Sequence, residues 1–347
     1  MERVDILLSG YGRVGQHFAG LVAERGDELR ARHGVDLVIR GATDSRGCAV
    51  ATAPEGLPLE LLVAYGGDLY AFPELGRPGY GTLDALAEGG WRVLVETTPS
   101  DVTTGGAALG HLEAALGAGV DVVTAAKGPL VRRLAELRAL GRERGARLKF
   151  GAAVAAALPT IDVAEAALTG ARLREFGGIL NGTTNFILGR MAETGCAYEV
   201  ALGEAQARGI AEPDPALDVE GIDTATKLVI LANALYGAEG AASLRLADVA
   251  ATGITAVTPE EVAAAGAEGG ALKLIGRCWR EPGGIRATVR PERLPGDDLL
   301  AHVGGAEKAI VFRTDTMDRI FVGGGKSDLR GAAAALLRDV LNLYRTA

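Results

Sequence analysis

The sequence predicts an α/β chain of two domains, a doubly wound parallel sheet followed by an α+β domain with a mixed sheet. Three observations carry that expectation. Short apolar runs alternate with helical patterns over residues 1–150, which is how a parallel sheet with helices on both faces is encoded. The first of those runs ends in a glycine turn that opens a helix. From residue 272 the hydrophobic period changes to two, as in strands joined by turns. A length of 347 residues is enough for two cores.

Residues 4–8 form the first apolar run, followed by Gly10-Tyr11-Gly12-Arg13-Val14-Gly15 and a helix with Val14, Phe18, Leu21 and Val22 on one face. In such a strand, turn and helix, Gly10 permits the tight turn and Gly12 lets backbone approach a pyrophosphate. Gly15 allows close helix packing, and the first helical residues, Arg13 and Val14, face the phosphates. The reading is a Rossmann-type dinucleotide site. A second strand at residues 35–39 leads to Arg40, Asp44 and Arg46. An acid there suits the ribose hydroxyls of NAD and an arginine suits the 2′-phosphate of NADP, so both cofactors remain open.

Residues 51–90 hold turn signals and short amphipathic pieces that predict no definite element. A strand at 91–95 then ends in Glu96-Thr97-Thr98-Pro99-Ser100, whose hydroxyls are expected to face the cofactor crevice. The helix bearing Leu109, Leu112 and Leu116 and a strand at 120–123 lead to Lys127, at the same sheet edge. A helix at 130–144 and a strand at 147–150 complete the nucleotide domain, expected to span 1–150 with a C-terminal helix at 331–347 returning to it. The second domain, 151–330, is expected to bind substrate, carry catalysis and dimerise. It begins with an alanine-rich turn at 151–161 and ends in strands at 273–280, 285–289, 308–312 and 319–322. Between these, Thr258-Pro259-Glu260-Glu261 has the form of a helix-capping box.

Composition narrows the function. A net charge of -8 argues against a nucleic-acid footprint or an anionic membrane surface. No apolar run approaches the roughly 20 residues that span a bilayer, so the expectation is a cytoplasmic protein with small-molecule ligands. Cys48, Cys196 and Cys278 are scattered, as are His17, His33, His111 and His302. They form no zinc or disulfide pattern and are read as packing or surface residues.

Chemistry concentrates at residues 209–231, where Glu212, Asp214, Asp218 and Asp223 precede Lys227. Pro213 and Pro215 make the start of this stretch a stiff loop. A helix starting near Asp223 then places Asp223 and Lys227, at i and i+4, on one face. Arginine supplies most of the positive charge in this chain, so a retained lysine is a candidate for proton transfer.

Six segments occur in one order: the glycine turn, T-D-S-R-G, E-T-T-P-S, V-V-T-A-A-K-G-P-L, N-G-T-T-N-F-I-L and E-A-Q-A-R-G-x-A-E-P-D-P. With them, from near residue 4 to near residue 340, the chain resembles homoserine dehydrogenase in a short form without a regulatory C-terminal domain. The resemblance implies reversible hydride transfer between L-aspartate 4-semialdehyde and L-homoserine with NADP or NAD, in a homodimer. It implies that Lys127 and Lys227 are catalytic, that Asp223 orients Lys227, and that Glu212 binds the α-amino group. Asp218, Gly182 and Thr183 are further substrate residues on the same ground. Thr97 would lie by the nicotinamide, with Thr98, Lys127 and Gly325 also at the cofactor. The carbonyls of Gly151, Val154 and Ala156 would hold a monovalent cation, sodium.

Four departures bear on substrate detail and the cation before they bear on dehydrogenation. They are Ile210 in place of an aromatic, the alanine-rich segment 151–159 in place of Glu then V-G-G-G-I-P, Lys308 in place of asparagine, and the glycine-rich segment ending in Lys326 and Ser327. Two other readings stand beside this one, a related oxidoreductase of another semialdehyde or amino alcohol and a non-catalytic NAD(P)-binding regulator.

Overall fold

Along the first strand, β1 (Glu2–Ser9), Val4, Ile6 and Leu8 join one buried cluster while Leu7 joins another. Side chains alternate across a strand, so a strand apolar at every position from Ile6 to Leu8 is covered on both faces. Phe18, Leu21 and Val22 of α1 (Arg13–His33) cover the first face. The computed structural model describes residues 1–237, 243–267, 269–325 and 328–345, so Lys326 and Ser327 lie outside the described residues. It divides into two units, Met1–Ala156 with Asp328–Ala347, and Ala157–Ser327.

The first unit continues through β2 (Val35–Thr43), β3 (Gly47–Val50), α2 (Leu59–Ala64), β4 (Gly76–Pro78) and α3 (Thr82–Glu88). Next come β5 (Val93–Glu96), α4 (Gly106–Gly117), β6 (Asp121–Thr124), α5 (Gly128–Arg144), β7 (Leu148–Lys149) and α6 (Gly151–Ala155). The strand order is β4-β3-β2-β1-β5-β6-β7. β1 pairs in parallel with β2 and β5, and β6 pairs in parallel with β5 and β7. Leu112 and Leu116 of α4 and Leu137 of α5 join Leu7 and Leu94 in the second cluster.

Two features depart from expectation. β3 and β4 are antiparallel additions, so the sheet is not parallel throughout. With only 4 and 3 residues they carry no alternation that a sequence pattern could reveal. Residues 151–155 form a helical turn rather than a loop.

The C-terminal helix (Leu329–Tyr344) belongs to the first unit, where Ala333, Leu336 and Val340 extend the cluster around Phe18. Its end is held by charge: the Tyr344 hydroxyl lies 2.7 Å from the Asp121 carboxylate, which Arg147 also meets at 2.6 Å.

The second unit contains α7 (Thr160–Ala167), β8 (Leu173–Ile179), α8 (Gly182–Thr194), α9 (Tyr198–Ala207), α10 (Ala216–Val219) and α11 (Ile222–Leu235). It continues with β9 (Ala250–Ala251), α12 (Pro259–Ala267), β10 (Ala271–Glu281), β11 (Gly284–Leu294), β12 (Lys308–Thr314) and β13 (Arg319–Gly324). Its mixed sheet has the order β13-β12-β8-β10-β11-β9, with only the β9–β11 pair parallel among the described residues. The capping box opens α12 as expected: Thr258 Oγ1 accepts from Glu261 N at 3.3 Å and Glu261 accepts from Thr258 N at 3.0 Å.

Lys273, on β10, is buried in this unit. Its ammonium donates to two neutral acceptors, Asn185 Oδ1 at 3.0 Å and the Val303 carbonyl at 2.7 Å. Burial pushes its pKa down from 10.5 to about 8. Between those values the unfolded chain holds the proton and the folded chain releases it, so this lysine makes stability rise with pH; below about 8 its penalty is fully present. Lys273→Met should remove that rise. Thermal melts at about pH 7.5 and about pH 9.5 should show the wild type gaining roughly 1–2 kcal/mol on the variant at the higher pH. A constant difference between the two proteins would show that Lys273 does not titrate there.

Candidate active site

Parallel register brings the carboxyl ends of four strands into line, with Ser9 opposite both Thr43 and Glu96, and Glu96 opposite Thr124. Above this edge lies a cleft of about 660 Å³ lined by Gly10, Gly12, Asp44, Arg46, Asp68, Thr98 and His111, among others. Gly10 turns the chain with φ 87, and a Cβ there would stand 2.7 Å from Thr98 N. A Cβ on Gly15 would stand 2.5 Å from the Gly10 carbonyl, whereas among the described residues, its chain neighbours aside, none comes within 4 Å of the one Gly12 would carry. The turn therefore packs tightly on its inner side and is open at Gly12, where α1 starts and Arg13 and Val14 form its first turn. That shape fits a dinucleotide pyrophosphate.

The carboxylate of Asp44 is engaged by backbone. Its Oδ1 accepts from Arg46 N at 2.7 Å and Gly47 N at 3.0 Å, and its Oδ2 accepts from Leu69 N at 2.9 Å. Arg46 reaches across to Asp68 at 2.5 Å.

The hydroxyls of Thr97 and Thr98 both donate to acceptors within the protein. Thr97 Oγ1 bonds the Gly10 carbonyl at 2.6 Å, and Thr98 Oγ1 bonds Glu96 Oε1 at 2.5 Å. Lys127 caps α5 and is half-buried, its backbone N–H donated to Ser100 Oγ at 2.9 Å.

In the second unit the acidic stretch folds onto the start of α8. Lys227 Nζ donates to Asp223 Oδ2 at 2.5 Å and to the Leu180 carbonyl at 2.7 Å, and both side chains are 11% exposed. The two N–H bonds of the Asn181 amide go to Asp218 Oδ1 at 2.7 Å and Asp223 Oδ2 at 3.0 Å. Its Oδ1 meanwhile accepts from Thr184 N, capping α8. Gly182 and Thr183 are buried in the first turn of that helix, with Thr183 Oγ1 bonded to the Ile210 carbonyl at 3.2 Å. Glu212 is exposed on the loop before α10. Gly325 follows β13 with φ 79.

Four of the expected residues are thus placed in one constellation or its support: Asp218, Asp223, Lys227 and Thr183. Asn181 joins them and was not singled out by sequence, although an asparagine three residues before a threonine at a helix start is a capping signal. His111 of the cleft and Glu96, buried behind it, were missed as well. An acid ending the apolar run 91–95 was the available sign for Glu96, whereas nothing in sequence distinguished His111 from the other histidines.

The expected cation carbonyls fare differently. Gly151 and Val154 lie within α6, and Ala156 follows it with φ 51. No chemistry is assigned to a cation at this segment.

Residues 159–341 match the family model described as homoserine dehydrogenase. The homoserine dehydrogenase of Methanocaldococcus jannaschii is 35% identical over 346 residues, covering 99% of each chain. The NAD(+)-dependent homoserine dehydrogenase of Pseudomonas canavaninivorans is 35% identical, covering 100% of this chain and 98% of that one. Among solved structures, a hyperthermophilic archaeal homoserine dehydrogenase in complex with NADPH aligns over 98% of this chain and 97% of its own, with a TM-score of 0.82 and 26% identity. The chain belongs to the homoserine dehydrogenase family.

Proposed function

We propose that this protein catalyses the reversible NAD(P)-dependent conversion of L-aspartate 4-semialdehyde to L-homoserine, as a cytoplasmic homodimer paired through the six-stranded sheet. The first unit is assigned the dinucleotide and the second the substrate. The observation that carries this reading is the state of Lys227. An ammonium has three N–H donors, and the protein engages two of them, through Asp223 and Leu180. The third is left for a ligand oxygen.

The dinucleotide, when bound, supplies the hydride in one direction and accepts it in the other. Reduction of the aldehyde builds negative charge on its oxygen, and Lys227 Nζ donates a hydrogen bond and then a proton to it. In the reverse direction the same nitrogen takes the hydroxyl proton. Asp223 holds Lys227 in place, and Asn181 holds Asp223. Glu212 and Asp218 supply carboxylates for the substrate ammonium. The family likeness assigns Lys127 to the reaction as a second lysine.

The two cofactors named for the relatives differ by a phosphate at the adenosine ribose, and Arg46 is the cation at that end of the cleft. Its bond to Asp68 can be exchanged for one to a 2′-phosphate.

Three tests address this function. NAD(P)H absorbance on adding homoserine with NAD or NADP should rise, with threonine and serine as silent controls; reduction with all three or with none would defeat the substrate assignment. Lys227→Ala should lower turnover by about 10²-fold or more, the size of a lost general acid, with little change in dinucleotide affinity. Arg46→Ala should lower kcat/KM for NADP by about tenfold while leaving NAD within about twofold, a charge-assisted bond lost from one cofactor only. Equal losses for both would show that Arg46 does not read the 2′-position.

A further inference from the structure

Glu96, with no exposed side-chain surface, ends β5 beneath the cleft. Its Oε1 accepts from Thr98 N at 2.7 Å and from Thr98 Oγ1 at 2.5 Å, and its Oε2 meets His111 Nδ1 at 2.8 Å. A carboxylate accepts and does not donate, so the proton of the neutral imidazole sits on Nδ1. Ser9 Oγ lies 3.3 Å from the same nitrogen and begins a line of hydroxyls, to Thr82 at 2.9 Å and from Thr82 to Thr43 at 2.7 Å. The imidazole lines the cleft and is 12% exposed. With Nδ1 engaged by Glu96, Nε2 of the neutral ring is an acceptor. Nothing in the hydride transfer uses it.

We propose that His111 is a dinucleotide-binding residue, its Nε2 accepting a hydrogen bond from a donor group on the adenosine half of the cofactor, and that Glu96 is the positioning residue that selects this tautomer. The adenosine half offers such donors in its ribose hydroxyls and exocyclic amine, while its phosphates offer only acceptors. The cleft places His111 together with Gly81, Thr82, Asp44 and Arg46, at the end where the second strand meets the adenosine. This rests on the dinucleotide reading above.

The deciding variants separate the two ring nitrogens. Asparagine matches the Nδ1 position and still donates to Glu96, but it deletes Nε2; glutamine places its amide where Nε2 was. Affinities for NAD, NADP, ADP-ribose and nicotinamide mononucleotide would be measured on the full chain by calorimetry, beside melting temperatures. His111→Asn should weaken NAD, NADP and ADP-ribose by about tenfold, the loss of one hydrogen bond, and leave the mononucleotide and the melting temperature unchanged. His111→Gln should recover part of that loss. Glu96→Gln donates to Nδ1 and so makes Nε2 a donor. It should weaken ADP-ribose to the same extent.

His111→Asn that binds ADP-ribose within about twofold of wild type overturns the role of His111, as does a loss confined to the mononucleotide. A wild type that binds no dinucleotide overturns the dinucleotide reading itself, and this proposal with it. If Glu96→Gln leaves every affinity unchanged while His111→Asn does not, the positioning role of Glu96 is overturned.

Discussion

A carboxylate with no contact with water must be surrounded by donors or it costs several kcal/mol to keep ionised. Glu96 is met by one backbone N–H, one hydroxyl and one imidazole, and much of the nucleotide unit is arranged to bring them together. Holding Thr98 N fixes the peptide on which Gly10 packs, and the Thr97 hydroxyl ties the same turn to the Gly10 carbonyl. The glycine turn after β1 and the turn after β5 are thereby locked to each other. Bringing His111 to Glu96 sets the rotation of α4, which in turn directs Leu112 and Leu116 into the cluster on the far face of β1. The polar floor of the cleft and the apolar packing of the sheet are therefore one constraint.

The second unit solves a similar problem with an amide. Asp218 and Asp223 both approach the start of α8, and Lys227 pairs with Asp223. Asn181 has two N–H bonds on a single nitrogen, and each goes to a different acid. Its oxygen caps the helix, so none of its hydrogen-bonding capacity points at random. Aspartate at 181 would keep the cap and lose both bridging donors, leaving three acids around Lys227. The choice of asparagine is thus electrostatic as well as conformational.

Much of this was legible in the sequence, and the reason is periodicity. β1, α1, β5, α4 and α11 are long or strongly patterned, and their apolar spacing places them without tertiary information. The i and i+4 placement of Asp223 and Lys227 follows from helix geometry alone. What could not be read is anything that depends on a distant partner. β3 exists because β2 offers it an edge, and β4 because β3 does. The alanine-rich segment at 151–155 becomes helical where Asp339, in the C-terminal helix, accepts from Gly151 N at 2.7 Å. His111 is set apart by an acid 15 residues earlier in the chain, a contact that no local pattern reveals.

Asp44 shows how a local rule can be right about place and incomplete about use. An acid at the end of the second strand is a guide to ribose recognition, and Asp44 does line the cleft. Its oxygens nevertheless accept three backbone N–H bonds, including one from Leu69, which lies 25 residues further along. The first duty of this carboxylate is to fold the 44–47 turn and anchor the segment carrying Asp68. That segment supplies the acid paired with Arg46. In the proposed cofactor site, discrimination at the ribose would consequently be shared: Asp44 anchors the segment that carries Asp68, Asp68 holds Arg46, and that ion pair would compete with an incoming phosphate. A substitution at Asp44 would move all three partners at once, so its effect on cofactor choice could not be assigned to a lost ribose contact alone.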